Sequence, residues 1–95
     1  EPAEALLCVE SGRLLGYVLY GPQSDPRRPE PGELFELYVA PERARQGIGR
    51  RLMLAIAADA QLRGWQPLLA WAWVSNREAH KFYLAIGAEA CGQRV

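Results

Sequence analysis

Ninety-five residues make a single domain with a modest core, large enough to fold alone. Hydrophobic residues are 49% of the chain and charged residues 23%, a composition that excludes disorder over the whole length. The 11 basic and 11 acidic side chains leave a formal charge of zero, which excludes the global basic field that drives non-specific nucleic-acid binding.

The basic residues are concentrated instead. Arg43, Arg45, Arg50 and Arg51 fall in one stretch, a cluster suited to a small anion such as a nucleotide phosphate. Cys8 and Cys91 form no Cys-x-x-Cys pair, and His80, the sole histidine, lacks the spacing of a metal ligand set. A reduced, cytoplasmic protein without a metal is expected. No signal peptide opens the chain, and no apolar run approaches the roughly 20 residues that span a bilayer, so no membrane association is expected.

Residues 5–9 and 14–20 are apolar, β-prone runs, and Glu10-Ser11-Gly12-Arg13 between them reads as a hairpin turn. In the second run Leu15, Tyr17 and Leu19 oppose Leu14, Val18 and Tyr20, which predicts an interior strand covered on both faces. Residues 21–32 carry Pro22, Pro26, Pro29 and Pro31 and are expected to form a loop that cannot continue a ladder. Residues 33–39 form the next strand, and Pro41 turns the chain. A helix is expected from about Gly47 to Arg63, with Ile48, Leu52, Ala55, Ile56 and Leu62 near one face and Gly64 as its stop.

Residues 68–74 read as a strand with Trp71 and Trp73 on one parity, expected in the core, with the lining of an acceptor pocket suited to cations as the alternative. Ser75 and Glu78 fit a capping box, with Asn76 as the alternative cap. The helix that follows aligns Ala79, Phe82, Tyr83 and Ile86 and ends at Gly87, and residues 88–95 form a weak last strand. The strand-helix-strand unit around the Gly47 helix predicts a parallel pair of strands in one sheet.

Residues 37–52 pass from a strand through a basic, glycine-containing turn into a helix, an arrangement that builds a phosphate cradle. Gly47 and Gly49 let the backbone approach an anion, and first-turn N–H groups carry partial positive charge. The stretch lacks the Gly-Lys-Ser/Thr ending of a P-loop and the three glycines of a dinucleotide fingerprint. Downstream, Asn76, Ala79, Phe82, Tyr83 and Gly87 stand at fixed offsets after an apolar strand.

Together the two segments resemble the GNAT family of acetyl-CoA-dependent N-acetyltransferases. The family signature Asn-x-x-Ala-x-x-Phe-Tyr-x-x-x-Gly is complete in those residues. The signature (Arg/Gln)-x-x-Gly-x-(Gly/Ala), after a strand reading Leu-x-Val-x-Pro, keeps Val39, Pro41, Gly47 and Gly49. It departs at Ala44, which holds the Arg/Gln position between Arg43 and Arg45.

The resemblance implies an α/β fold with a mixed α+β sheet, the GNAT acyl-CoA N-acyltransferase fold. It covers residues 1–95 as one domain, without the family's usual N-terminal strand and helices and without its last strand. It implies acetyl transfer from acetyl-CoA, as co-substrate, to a primary amine of a small molecule, antibiotic or protein. The mechanism implied is direct attack in a ternary complex. Arg45, Gln46, Gly47, Ile48, Gly49 and Arg50 would hold the pyrophosphate. Leu37 would polarise the thioester carbonyl through its N–H, Val39 would pair with the pantetheine arm, Asn76 would contact that arm, and Tyr83 would protonate the departing thiolate.

The acceptor must first lose a proton, because a lysine-like amine has a pKa of about 10.4. Glu33 and Glu36 are the candidate bases. Strict alternation sends them to opposite faces, with Glu33 beside Phe35, Leu37 and Val39. The spacing of Glu33 from Val39 resembles that of the family's catalytic glutamate, so Glu33 is the expected base. One rival reading is an acyl-CoA-binding or regulatory module without acetyl transfer. Another is an anion-binding domain that pairs with a second copy through exposed strand edges.

Overall fold

A computed structural model describes residues 3–92 of the 95. Strands β1 (Glu4–Glu10) and β2 (Arg13–Pro22) form the expected antiparallel hairpin. Ser11 and Gly12 between them take φ of 51° and 77°, the pair of positive values that a two-residue type I′ turn requires. β3 (Gly32–Val39) pairs antiparallel with β2, and β4 (Leu68–Ala70) pairs parallel with β3, in the order β1-β2-β3-β4. A 3-10 turn, Pro41–Arg43, and helix α1 (Ile48–Leu62) form the crossover between the parallel strands, and α2 (Arg77–Ala85) follows β4. The class is mixed α+β, as expected.

α1 covers one face of the sheet. Ile48, Leu52, Ile56 and Ala60 are buried, and the first three join Val18, Tyr20 and Leu34 in one apolar cluster. Ala55 and Leu62, expected on this stripe, are exposed, Leu62 to 87%. Each i, i+4 step advances the buried row by about 40° around a helix of 3.6 residues per turn, so by Ala60 the stripe has rotated away from both. Tyr20 reaches across to α1 and donates to Asp59 at 2.6 Å, while Arg63 bridges Asp59 and Glu4. Burial, reinforced by the bond to Asp59, pushes the Tyr20 phenol up to about 12. The same bond holds the Asp59 carboxyl below its ordinary value.

Three expectations need correction. The β2–β3 ladder continues through Gly21 and Pro22, which pair with Glu33 and Gly32, because a proline at a strand's last residue interrupts nothing beyond it; the loop is confined to residues 23–31. β2 is interior to the sheet but not covered on both faces: Val18 and Tyr20 are buried under α1, whereas Tyr17 and Leu19 on the other side are only half-buried. Residues 88–92 form no strand, since β4 offers only three residues of ladder; the rest of that expected strand lies outside the described residues.

The register between β2 and β3 carries the main consequence for function. A Cβ at Gly16 would lie against Ile48 and Leu52 of α1, so Gly16, Val18 and Tyr20 mark the covered face. Their direct partners on β3 are Val39, Leu37 and Leu34. From Leu37 to Leu34 is three residues where β2 advances two, because the register shifts between Leu19 and Tyr20 and Phe35 is the extra residue of a β-bulge.

Candidate active site

β4 pairs with β3 only from Gly32 to Leu34. Beyond that point the two strands part, and no strand pairs the β4-side edge of residues 35–39 among the described residues. The gap is a cleft of about 180 Å³, lined by residues 34–37 of β3, 71–73 after β4, and Asn76, Ala79 and Tyr83. The strand expected over residues 68–74 therefore stops at Ala70, and its continuation becomes a wall. Trp71 and Trp73 are not core residues: both line the cleft, and Trp73 is 83% exposed. A bulge bends its strand, and the Phe35 bulge sits where the splay begins.

At one end of β3 the chain enters the turn expected to cradle phosphate. Arg45 takes φ of 66° and Gly47 φ of 80°, two left-handed residues that wrap the turn before α1. No side chain caps the helix, and no acidic residue occupies its first turn, so its unpaired N–H groups keep their positive end. Arg45, Arg50 and Arg51 form no ion pair among the described residues, whereas Arg43 is engaged with Glu10 at 2.8 Å. The two glycines do different work. Gly47 is there for its backbone angle, with open space where a Cβ would stand. Gly49 is buried, and a Cβ there would lie 3.1 Å from the Phe82 ring, so its missing side chain lets α1 close onto α2.

α2 supplies the opposite wall. Asn76 is its N-cap, accepting from the Ala79 N–H at 3.1 Å, so the alternative cap is the one used and its Oδ1 is committed to the helix. Asn76 and Tyr83 both line the cleft, and Phe82 meets Tyr83 edge-on. Burial pushes the Tyr83 phenol up, which keeps it protonated, and hence a donor, at neutral pH. His80 Nε2 lies 2.9 Å from the Trp73 carbonyl, a contact within this wall.

The two carboxylates do not separate as alternation implies. Tyr17 pairs with Tyr38, Leu19 with Glu36 and Gly21 with Glu33, and directly opposed residues share a face. Glu33 and Glu36 therefore both face away from α1, while Leu37 and Val39 face toward it. The extra residue at Phe35 restores the parity that a regular strand would have broken. Their surroundings differ. Glu33 is 6% exposed, and its Oε1 accepts from the Ser24 N–H at 3.1 Å and the Ser24 hydroxyl at 3.2 Å, which pins the proline-rich loop. Glu36 lines the cleft and accepts from the Tyr17 hydroxyl.

The Acetyltransferase (GNAT) family model matches residues 1–88. The chain belongs to the GNAT acetyltransferase family. It is 30% identical over 80 residues to the uncharacterized N-acetyltransferase YuaI of Bacillus subtilis (strain 168), covering 84% of this chain and 46% of that relative. It thus spans about half the length of the curated relative it matches. Among solved structures it is similar to an integron cassette protein from the mobile metagenome of V. cholerae. That match has 28% identity and a TM-score of 0.81, over 94% of this chain and 56% of that one. The fold is shared with the aminoglycoside N-acetyltransferase AAC(6')-Iy solved in complex with CoA, with a TM-score of 0.87 at 16% identity over 98% of this chain and 72% of that one.

Within this GNAT domain the structure brings Leu37, Asn76 and Tyr83 to one cleft, with Val39 and residues 45–50 leading from it. It does not bring Glu33 to the cleft wall. Sequence reasoning missed Tyr17 and Phe35. The only signal for either was the aromatic pair Tyr17 and Tyr38 on neighbouring strands, which becomes informative once the register is known.

Proposed function

We propose that residues 1–95 form a single acetyltransferase domain that moves the acetyl group of acetyl-CoA to a primary amine by direct attack in a ternary complex. The observation that carries this reading is the splay of β3 from β4, with the uncapped basic end of α1 at one side and Tyr83 across the gap. An extended pantetheine arm fits a strand edge that lacks a strand partner, in the manner of an added strand. In this reading Leu37 and Val39 present that edge, the Leu37 N–H polarises the carbonyl under attack, and Asn76 flanks the arm through its remaining amide. The N–H groups of Ile48, Gly49 and Arg50, with Gln46 and the Arg45 and Arg50 side chains, hold the pyrophosphate.

Tyr83 faces the departing sulfur. A thiol titrates near about 8.5, below a phenol at about 10, and burial raises Tyr83 further. Complete proton transfer from Tyr83 to the thiolate is therefore uphill, and its contribution is a hydrogen bond to the developing charge. The bulge leaves both carboxylates on the acceptor side, and Glu36 is the one that lines the cleft. We assign proton removal to Glu36 and loop anchoring to Glu33, with Glu33 acting through water as the runner-up.

The reading places the protein in a reducing, cytoplasmic setting, in keeping with its free cysteines Cys8 and Cys91, and leaves the β1 edge open to a second copy. Release of CoA thiol from acetyl-CoA, measured against a panel of primary amines, tests it. Amine-dependent release supports transfer. Acetyl-CoA binding without release for any amine would favour a binding or regulatory module.

A further inference from the structure

The face of the sheet away from α1 carries a side-chain relay that the family motifs do not mention. Tyr17 lies directly opposite Tyr38, two pairs along from Leu19 and Glu36 and on the same face, so Tyr17 and Glu36 are diagonal neighbours within reach of long side chains. The rings of Tyr17 and Tyr38 stack with centroids 5.3 Å apart and planes 27° apart. The Tyr17 hydroxyl donates to Glu36 Oε2, and Glu36 Oε1 has no hydrogen-bond partner among the described residues.

An exposed glutamate on a strand samples several rotamers, and ordering it costs side-chain entropy. Here one ring fixes another, and the second ring's hydroxyl fixes one carboxylate oxygen. We propose that Tyr17 is a positioning residue: it clamps Oε2 of Glu36 so that Oε1 is presented to the acceptor ammonium at the cleft. This rests on the acetyl-transfer reading and deepens it by naming what orients the acceptor-side carboxylate. The raised phenol of Tyr17, caused first by its bond to Glu36, agrees with a hydroxyl held as donor.

The relay predicts coupling between two residues. Tyr17→Phe keeps the ring and its stack and deletes one donor, Glu36→Gln removes the charge, and the double variant tests whether the first acts through the second. Steady-state CoA release is measured for all three and for the unaltered chain, varying the amine and acetyl-CoA separately.

The expected result is a loss of about tenfold in kcat/KM for the amine in Tyr17→Phe, the scale of one charged hydrogen bond. The KM for acetyl-CoA should be unchanged, and adding Tyr17→Phe to Glu36→Gln should produce no further loss. Tyr38→Leu, which removes the stack but keeps the hydroxyl, should give a smaller loss in the same parameter. Equal losses from Tyr17→Phe in both backgrounds, or a matching change in the KM for acetyl-CoA, would overturn the positioning role and leave acetyl transfer standing. So would full amine turnover by Glu36→Gln. No amine-dependent release by the unaltered chain would overturn the acetyl-transfer reading, and this proposal with it.

Discussion

The two ends of the cleft are built from different materials. The proposed cofactor end is a backbone construction: among the described residues, a strand edge without a strand partner, two left-handed residues and an uncapped helix start. The proposed acceptor end is a side-chain construction, in which Tyr38, Tyr17 and Glu36 form one relay, while Glu33, off the cleft wall, anchors Ser24 of the neighbouring loop. Backbone geometry survives most substitutions, so one phosphate cradle can serve many acceptors while the opposite end is re-cut by individual residues. Ala44, where the family motif has Arg or Gln, fits this view: the left-handed turn and helix start are intact without that side chain.

Substitutions that affect only one end test the contrast. Tyr83 stands between the ends, and Tyr83→Phe should lower kcat by roughly 100-fold, the low end for loss of one hydrogen-bond donor to a developing negative charge, with little change in either KM. Wild-type kcat under conditions where chemistry limits the rate would reduce Tyr83 to a wall residue. Arg50→Glu places a like charge beside the proposed pyrophosphate and should weaken acetyl-CoA binding roughly 10- to 100-fold, with the amine KM unaffected; calorimetry reads the first and initial rates the second. If both substrates suffer equally, the division between the ends is wrong.

Gly49→Ala separates packing from phosphate binding. Its Cβ would press on Phe82, an overpacking cost of about 1–3 kcal/mol offset by about 1 kcal/mol of helix propensity. A lower unfolding midpoint in denaturant is expected, and Phe82→Leu in the same chain should recover part of it. If Gly49→Ala instead leaves stability intact and abolishes binding, the glycine belongs to the cradle alone.

The smallest effect concerns the core beneath the site. Tyr20 is raised from 10.0 to about 12, so its contribution is complete below about pH 10 and lost as pH rises through about 12. Asp59 is lowered by the same bond, so its contribution is present above its ordinary value of 3.8 and lost as pH falls through its folded value. Tyr20→Phe should therefore melt below wild type at neutral pH, with the gap narrowing in strong acid and strong base. A constant gap would assign Tyr20 to packing only.

The fold was legible wherever one segment carries its own signal. Ser11-Gly12 declares a tight hairpin, Pro41 and Gly47 bracket the entry to α1, and Gly64 and Gly87, at φ of 76° and 96°, mark the two helix stops. The glycine turn into α1 and the Phe82-Tyr83 wall were legible for the same reason. What escaped depends on pairing. The Phe35 bulge leaves no mark in the strand's own sequence, because an extra residue is defined only against β2, and it reversed the face of Glu33 relative to Leu37 and Val39. The early end of β4 is likewise a property of two strands. Residues 71–74 are as β-prone as 68–70, yet only the latter face a straight stretch of β3.

In the proposed complex acetyl-CoA lies along the unpaired edge of β3 with its phosphates on the first turn of α1. Titrating the isotope-labelled chain with CoA while following every backbone amide by NMR tests it directly. The amides of Leu37, Val39, Gly47, Ile48, Gly49 and Arg50 should shift together along one binding curve, while those of Ser24 and Glu33 stay in place. Shifts centred on the 23–31 loop, or on the β1 side of α1, with the α1 first turn unmoved, would contradict it.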